Sequence, residues 1–264
     1  MKAKWDKATI VNERGERVDA QAPVIISASR STDIPAFYSA WLKHRIEAGF
    51  VKWTNPFNGV PLYVSFERAR VFVFWTKNPR PMLPSLDYLG DKGVNYYFQF
   101  TLNDYDAEGY EPGVPNLENR VDSFIALSRR LGKDRVIWRF DPLMLTDKVS
   151  MEDLLKKTER VGNRIAPFTS RLVFSFSDIS AYGKVQNNLK KAGIAAREFS
   201  HEEMIAFAAG VQALNAKWNL KIGTCAEQID LEAYEIEHNR CIDDRLLIQL
   251  FNQDALLMDF LGYE

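Results

Sequence analysis

Short apolar runs that end in small polar or charged residues recur along this chain, and each is followed by enough sequence for a helix. They are Val24-Ile25-Ile26-Ser27-Ala28-Ser29, Val71-Phe72-Val73-Phe74-Trp75, Tyr96-Tyr97-Phe98-Gln99-Phe100-Thr101, Arg135-Val136-Ile137-Trp138-Arg139-Phe140, Leu172-Val173-Phe174-Ser175-Phe176 and Leu220-Lys221-Ile222-Gly223-Thr224-Cys225. Runs this short and continuous suit strands buried on both faces, which is the habit of parallel sheets. The segments between them carry helix signals. Pro35 follows Asp33 at a helix start, with Phe37, Trp41, Ile46 and Phe50 on one face and Gly49 near the end. Ser150 with Asp153, and Ser200 with Glu203, have capping-box spacing, and Gly132 closes a helix over 116–131. A short helical stretch is expected around Met82 to Leu89, and two short strands split by Asn55-Pro56-Phe57-Asn58-Gly59 between residues 50 and 66.

Strand and helix alternating in this way predict an α/β fold. The number of units favours a TIM-barrel-like (β/α) barrel, closed or partly closed, over a doubly wound sheet. With 264 residues, 46% of them apolar, one domain spanning 1–264 is expected, with a polar leader over 1–22 and a helical C-terminal segment over about 228–264. Residues 103–115, rich in Asp, Gly and Pro, read as a long loop: a lid or an ordinary surface excursion.

Charge narrows the partners. Lys plus Arg number 34 against 35 Asp plus Glu, so no field draws the protein to a polyanion or an anionic membrane, and nucleic acid is disfavoured though not excluded. No apolar run approaches the ~20 residues of a membrane span, and the N-terminus lacks a signal peptide's apolar core. With two cysteines, Cys225 and Cys241, the reading is a cytoplasmic protein with reduced thiols.

In parallel barrels the ligand lies over the carboxyl ends of the strands, so the residues just after each apolar run are the candidate site. They include Arg30, Asp33, Asn55, Thr76, Lys77, Asn78, Gln99, Thr101, Arg139, Asp141, Ser175, Ser177, Asp178, Cys225 and Glu227. Asp33, Asn78 and Asp178 are also natural helix caps. Arg30, Lys77, Arg139 and Glu227 are poor caps, and read either as substrate contacts or as a salt-bridge layer such as Arg139 with Glu227 or Asp141. Converging cations suit a small anionic substrate, bound as carboxylate or phosphate by Arg30, Lys77 and Arg139. Trp53, Phe57, Trp75, Trp138 and Phe140 fit core filler better than ligand stacking. Cys225, His238 and Cys241, with nearby carboxylates, are a possible metal set, but their spacing is unlike the short Cys pairs of structural zinc sites. A Cys-His nucleophile pair is a further reading of the same residues. No dinucleotide-binding glycine motif, Walker loop, zincin helix or hydrolase nucleophile elbow occurs.

Seven motifs in order give a resemblance. Residues 25–38 (Ile25-Ile26-Ser27-Ala28-Ser29-Arg30-Ser31-Thr32-Asp33-Ile34-Pro35-Ala36-Phe37-Tyr38), Asn55-Pro56-Phe57-Asn58, Val73-Phe74-Trp75-Thr76-Lys77-Asn78-Pro79, Tyr97-Phe98-Gln99-Phe100-Thr101, Val136-Ile137-Trp138-Arg139-Phe140-Asp141-Pro142, Thr224-Cys225-Ala226-Glu227 and Cys241-Ile242-Asp243 together resemble the domain of unknown function family number 1848. The resemblance implies kinship with radical S-adenosylmethionine enzymes and a cysteine cluster that holds a [4Fe–4S] centre and S-adenosylmethionine. That set needs three thiolates, so the cluster is expected only in a form carrying a cysteine-rich tail. Three functions stand at this point: a radical enzyme of that type; a cluster-free hydrolase or lyase in which Asp141 and Glu227 are acid and base, or ligands of a divalent metal, with Cys225 a third catalytic candidate; and a module that binds a nucleotide or nucleic acid. Asp33, Asn55, Asn78, Gln99 and Thr101 are expected to orient the substrate.

Overall fold

A computed structural model describes residues 6–29, 32–55, 58–225 and 227–263. The fold is mixed α/β and separates into two compact units, one of residues 1–97 with 244–264, the other of 98–243.

The first unit opens with an antiparallel hairpin, β1 (Lys7–Val11) and β2 (Arg17–Gln21), where the sequence reading expected a polar leader. Strand β3 (Ile25–Ser27) leads to α1 (Ile34–Phe37) and α2 (Ser39–Ala48). The single helix expected here is thus broken at Tyr38, and Gly49, at φ 79°, supplies the left-handed residue that ends α2. The two short strands expected here are β4 (Phe50–Thr54) and β5 (Pro61–Ser65), which pair antiparallel, and β5 also pairs with β2. Strand β6 (Val71–Thr76) pairs in parallel with β3. A 3-10 turn over Arg80–Ser85 and α3 (Leu86–Asp91) precede β7 (Asn95–Thr101), and the division between the units falls inside that strand.

The second unit continues through α4 (Leu117–Leu131), β8 (Val136–Leu143), β9 (Leu145–Thr146), α5 (Met151–Ile165), β10 (Arg171–Phe176), α6 (Gly183–Ala192), β11 (Ala196–Arg197), α7 (His201–Trp218), β12 (Lys221–Cys225) and β13 (Ile236–Asn239). Its long strands pair in parallel in the order β7-β8-β10-β12-β13. Both expected capping boxes form, Ser150 with Asp153 and Ser200 with Glu203, and Asn116 caps α4. The central strands have buried interiors: Phe100, Trp138, Phe140, Leu172 and Val173 have no exposure. Trp138 and Phe140 are therefore core, and the Trp138 indole donates to the Leu102 carbonyl at 3.1 Å.

The chain returns to the first unit with α8 (Asp244–Phe251) and α9 (Ala255–Leu261). Asp254 caps α9 and also accepts from Arg70 Nε at 2.9 Å and Asn95 Nδ2 at 2.8 Å, fastening the C-terminal helix to the starts of β6 and β7. The segment expected to be helical from 228 onward thus holds β13 before its helices.

Parallel pairing joins β3 to β6 in the first unit and β7, β8, β10, β12 and β13 in the second, as the sequence predicts for the six strands expected; β13 is an addition to them. Among the described residues β13 pairs only with β12, so the sheet is open at that edge. The barrel expectation is met in its parallel α/β class. No helix among the described residues is long and apolar enough to cross a membrane.

Candidate functional site

The carboxyl ends of β7, β8, β10 and β12 bring a polar cluster together inside the second unit. Its centre is Arg139 on β8, only 3% exposed. Its Nε donates to Asp141 Oδ2 at 3.0 Å, its Nη2 also reaches Asp141 Oδ2, and its Nη1 donates to Gln99 Oε1 at 2.9 Å. The Cys225 thiol interacts electrostatically with the guanidinium. Burial works against the charge on Arg139, but Asp141 and Cys225 outweigh it and hold the group above its ordinary value.

Each partner is fixed in turn. Gln99 is 3% exposed and donates to the Cys241 carbonyl at 2.8 Å, so the loop after β13 is tied to β7. Asp141 accepts the Ser175 hydroxyl from the neighbouring β10, and its backbone N–H donates to Asn103 Oδ1 at 2.9 Å. Asn103, wholly buried, donates back to the Asp141 carbonyl at 3.2 Å. Thr101 is the register partner of Arg139.

Glu227 follows β12. Its Oε1 accepts the Phe176 N–H at 2.8 Å, and Oε2 has no hydrogen-bond partner among the described residues. Burial pushes its carboxyl above the ordinary range; the Phe176 bond opposes this, while the charges of Asp178 and Asp141 add to it. Cys225, half-buried, lies with its Sγ 3.6 Å from that of the exposed Cys241. Burial raises the Cys225 thiol and the Arg139 charge pulls the other way.

Loop 103–115 is pinned by charge. Arg120, 1% exposed, donates to the Asn103 carbonyl at 2.8 Å and pairs with Asp106 and Glu111. Lys157 donates to the Asp104 carbonyl at 2.8 Å and pairs with Glu108, and Arg160 pairs with Asp104. The Tyr105 hydroxyl donates to the Pro142 carbonyl at 2.9 Å. The start of the loop, Asn103 to Tyr105, is buried and bonded to β8, while residues 106–115 are exposed or half-buried.

In the first unit, Asp33 caps α1 through the Ala36 N–H at 3.0 Å and accepts the Lys77 N–H at 2.7 Å. Thr76 Oγ1 accepts from Asn78 N–H, and the Asn78 side chain accepts from Arg80 N–H. Asn55 closes the β4–β5 turn through its backbone, donating to the Val60 carbonyl at 3.0 Å. These groups organise turns. Arg30 and Phe57 lie outside the described residues. His238 is an exposed residue of β13, and its register partner is Thr224. Among the described residues no group of three or more His, Cys, Asp or Glu side chains is placed to hold a metal ion.

The strand-end rule thus found Gln99, Arg139, Asp141, Cys225 and Glu227 together. It missed Asn103, whose signal is faint: a small amide two residues beyond Thr101, in a loop. Ser175 stood among the strand-end residues without a role and here anchors Asp141.

The family model for a domain of unknown function, DUF1848, matches residues 25–260. The chain belongs to this family. The match runs through both units of the DUF1848 fold, so the strand-end cluster lies inside the matched region. Among curated proteins nothing matches. A solved structure from Bacteroides thetaiotaomicron VPI-5482, described as a candidate alpha-L-fucosidase, is similar at 12% identity over 91% of this chain and 83% of its own, with a TM-score of 0.34. A likeness so distant carries no argument about the DUF1848 site.

Proposed function

We propose that this protein is an enzyme acting on a small polar substrate by general acid–base chemistry, with its site at the carboxyl ends of β7, β8, β10 and β12. The observation that carries the reading is the pair Glu227 and Asp141, two carboxylates at the ends of nearby strands in contrasting surroundings. Glu227 keeps one oxygen unengaged among the described residues and is biased by burial toward its protonated form, which suits a proton donor. Asp141 is ion-paired with Arg139 and hydrogen-bonded by Ser175, which suits a carboxylate that orients the substrate or takes its proton. Environments that differ in this way are how one site runs acid and base chemistry together. Arg139, with its donors on Asp141 and Gln99, acts as a positioning residue.

The radical S-adenosylmethionine type asks for three thiolates, and this sequence supplies Cys225 and Cys241. Those two residues do not fit the cluster.

The test is product formation, read by mass spectrometry over a panel of small polar metabolites. For a compound turned over by the wild type, Glu227→Gln is expected to lower kcat by roughly 10²–10⁴, the usual worth of a positioned acid or base, with KM little changed. Unchanged kcat in Glu227→Gln and in Asp141→Asn would sink the proposal.

A further inference from the structure

Beyond the acid–base pair, the same end of the second unit carries two thiols in contact. We propose that Cys225 and Cys241 form a redox-active dithiol whose substrates are low-molecular-weight disulfides, with Cys241 the attacking thiol and Cys225 the resolving one.

Three observations carry this. The sulfurs are 3.6 Å apart, so a bond of about 2.05 Å requires them to close by roughly 1.5 Å, within reach of side-chain rotation. The two differ in access: Cys241 is exposed and Cys225 half-buried, so an incoming disulfide meets Cys241 first. Their surroundings are also built. Gln99 holds the Cys241 carbonyl at 2.8 Å, and the charge of the buried Arg139 guanidinium acts on Cys225 against the burial that raises its thiol. A pair that merely filled core space would have neither an exposed member nor a cation on the other.

The chemistry balances without a metal or a bound cofactor. The Cys241 thiolate attacks one sulfur of the small disulfide, whose S–S bond breaks; the first thiol leaves carrying the proton that Cys241 gave up. The Cys225 thiolate then attacks Cys241 Sγ, the mixed disulfide breaks, and the second thiol leaves with the Cys225 proton. The protein dithiol is oxidised by two electrons and the small disulfide is reduced to two thiols.

The experiment treats the reduced full-length chain with oxidised glutathione and follows protein mass and alkylation, so its outcome is independent of whether the acid–base reading holds. In the wild type the expected product is two hydrogens lighter, with Cys225 and Cys241 protected from alkylation together. Cys225→Ser is expected to stop at a stable glutathione adduct on Cys241, and Cys241→Ser to react at least about tenfold more slowly than the wild type, because the remaining thiol is half-buried. The wild-type result needs no variant, so a misfolded variant leaves the test intact. A lasting glutathione adduct on the wild type, no reaction at all, or a Cys241→Ser protein that reacts as fast as the wild type would each overturn the proposal.

Discussion

At the scale of single residues, the second unit rests on buried charge that is paired and hydrogen-bonded. Arg120 illustrates it: the guanidinium is 1% exposed and serves Asp106, Glu111 and the Asn103 carbonyl at once, holding the loop that in turn holds Asp141. Removing one partner from such a set leaves the others desolvated without compensation. Arg120→Ala is expected to cost on the order of 3 kcal/mol, toward the lower end for a broken buried pair because Asp106 reaches solvent. Urea denaturation measures it, and a loss below about 0.5 kcal/mol, the range of an ordinary surface substitution, would contradict the account. Glu227 gives a prediction with a definite sign. Its folded-state pKa is raised, so between the ordinary glutamate value and the raised one the folded protein binds more protons than the unfolded. Stability contributed by the neutral form is complete below that window and is lost as pH rises through it. Glu227→Gln keeps an acceptor for the Phe176 N–H and removes the ionisation. The variant is expected to match the wild type in acid and to melt higher at neutral pH; a variant that melts lower at neutral pH would reverse the sign. The strand-end residues were legible because long charged side chains rarely follow an apolar run by accident, whereas Asn103 and Ser175 belong to types that serve turns everywhere.

At the scale of elements, the central strands and the capped helices were readable because local chemistry and tertiary packing agree there, as in α5 and α7 with their complete capping boxes. What escaped had weak local signals. The β1–β2 hairpin alternates exposure along mostly polar sequence, α6 has no buried residue, and Glu237 and His238 disguise β13. Close helix approach is also invisible until the glycines are seen in place. A Cβ on Gly162 of α5 would stand 2.3 Å from Trp218 Cζ2 of α7, and one on Gly210 of α7 would stand 2.7 Å from Leu155 of α5. Helix propensity favours Ala over Gly by roughly 0.5–1 kcal/mol, while forcing a methyl into a packed contact costs about 1–3 kcal/mol. The Trp218 ring is held by its indole bond to Asn163 at 2.9 Å and yields poorly, so packing wins. Gly162→Ala is expected to lose about 1–2 kcal/mol in chemical denaturation; a gain in stability would show that the helices can part without cost.

At the scale of the whole molecule, alternation of strand and helix gave away the parallel α/β class, and near-neutral charge fits a site built from internal pairs better than a charged surface. The two-unit organisation left no trace in composition, because the division passes through the apolar strand β7 where no linker marks it. Fold class alone does not name a reaction. Acid–base chemistry at the carboxyl ends of the second unit requires Glu227 to be a carboxyl that holds its proton longer than a free glutamate. Carbon-13 NMR titration of the glutamate side-chain carboxyls, with the Glu227 signal assigned by its loss in Glu227→Gln, measures this directly. A midpoint clearly above that of the exposed glutamates of the same chain is the predicted result, and a midpoint at or below theirs would contradict the central claim.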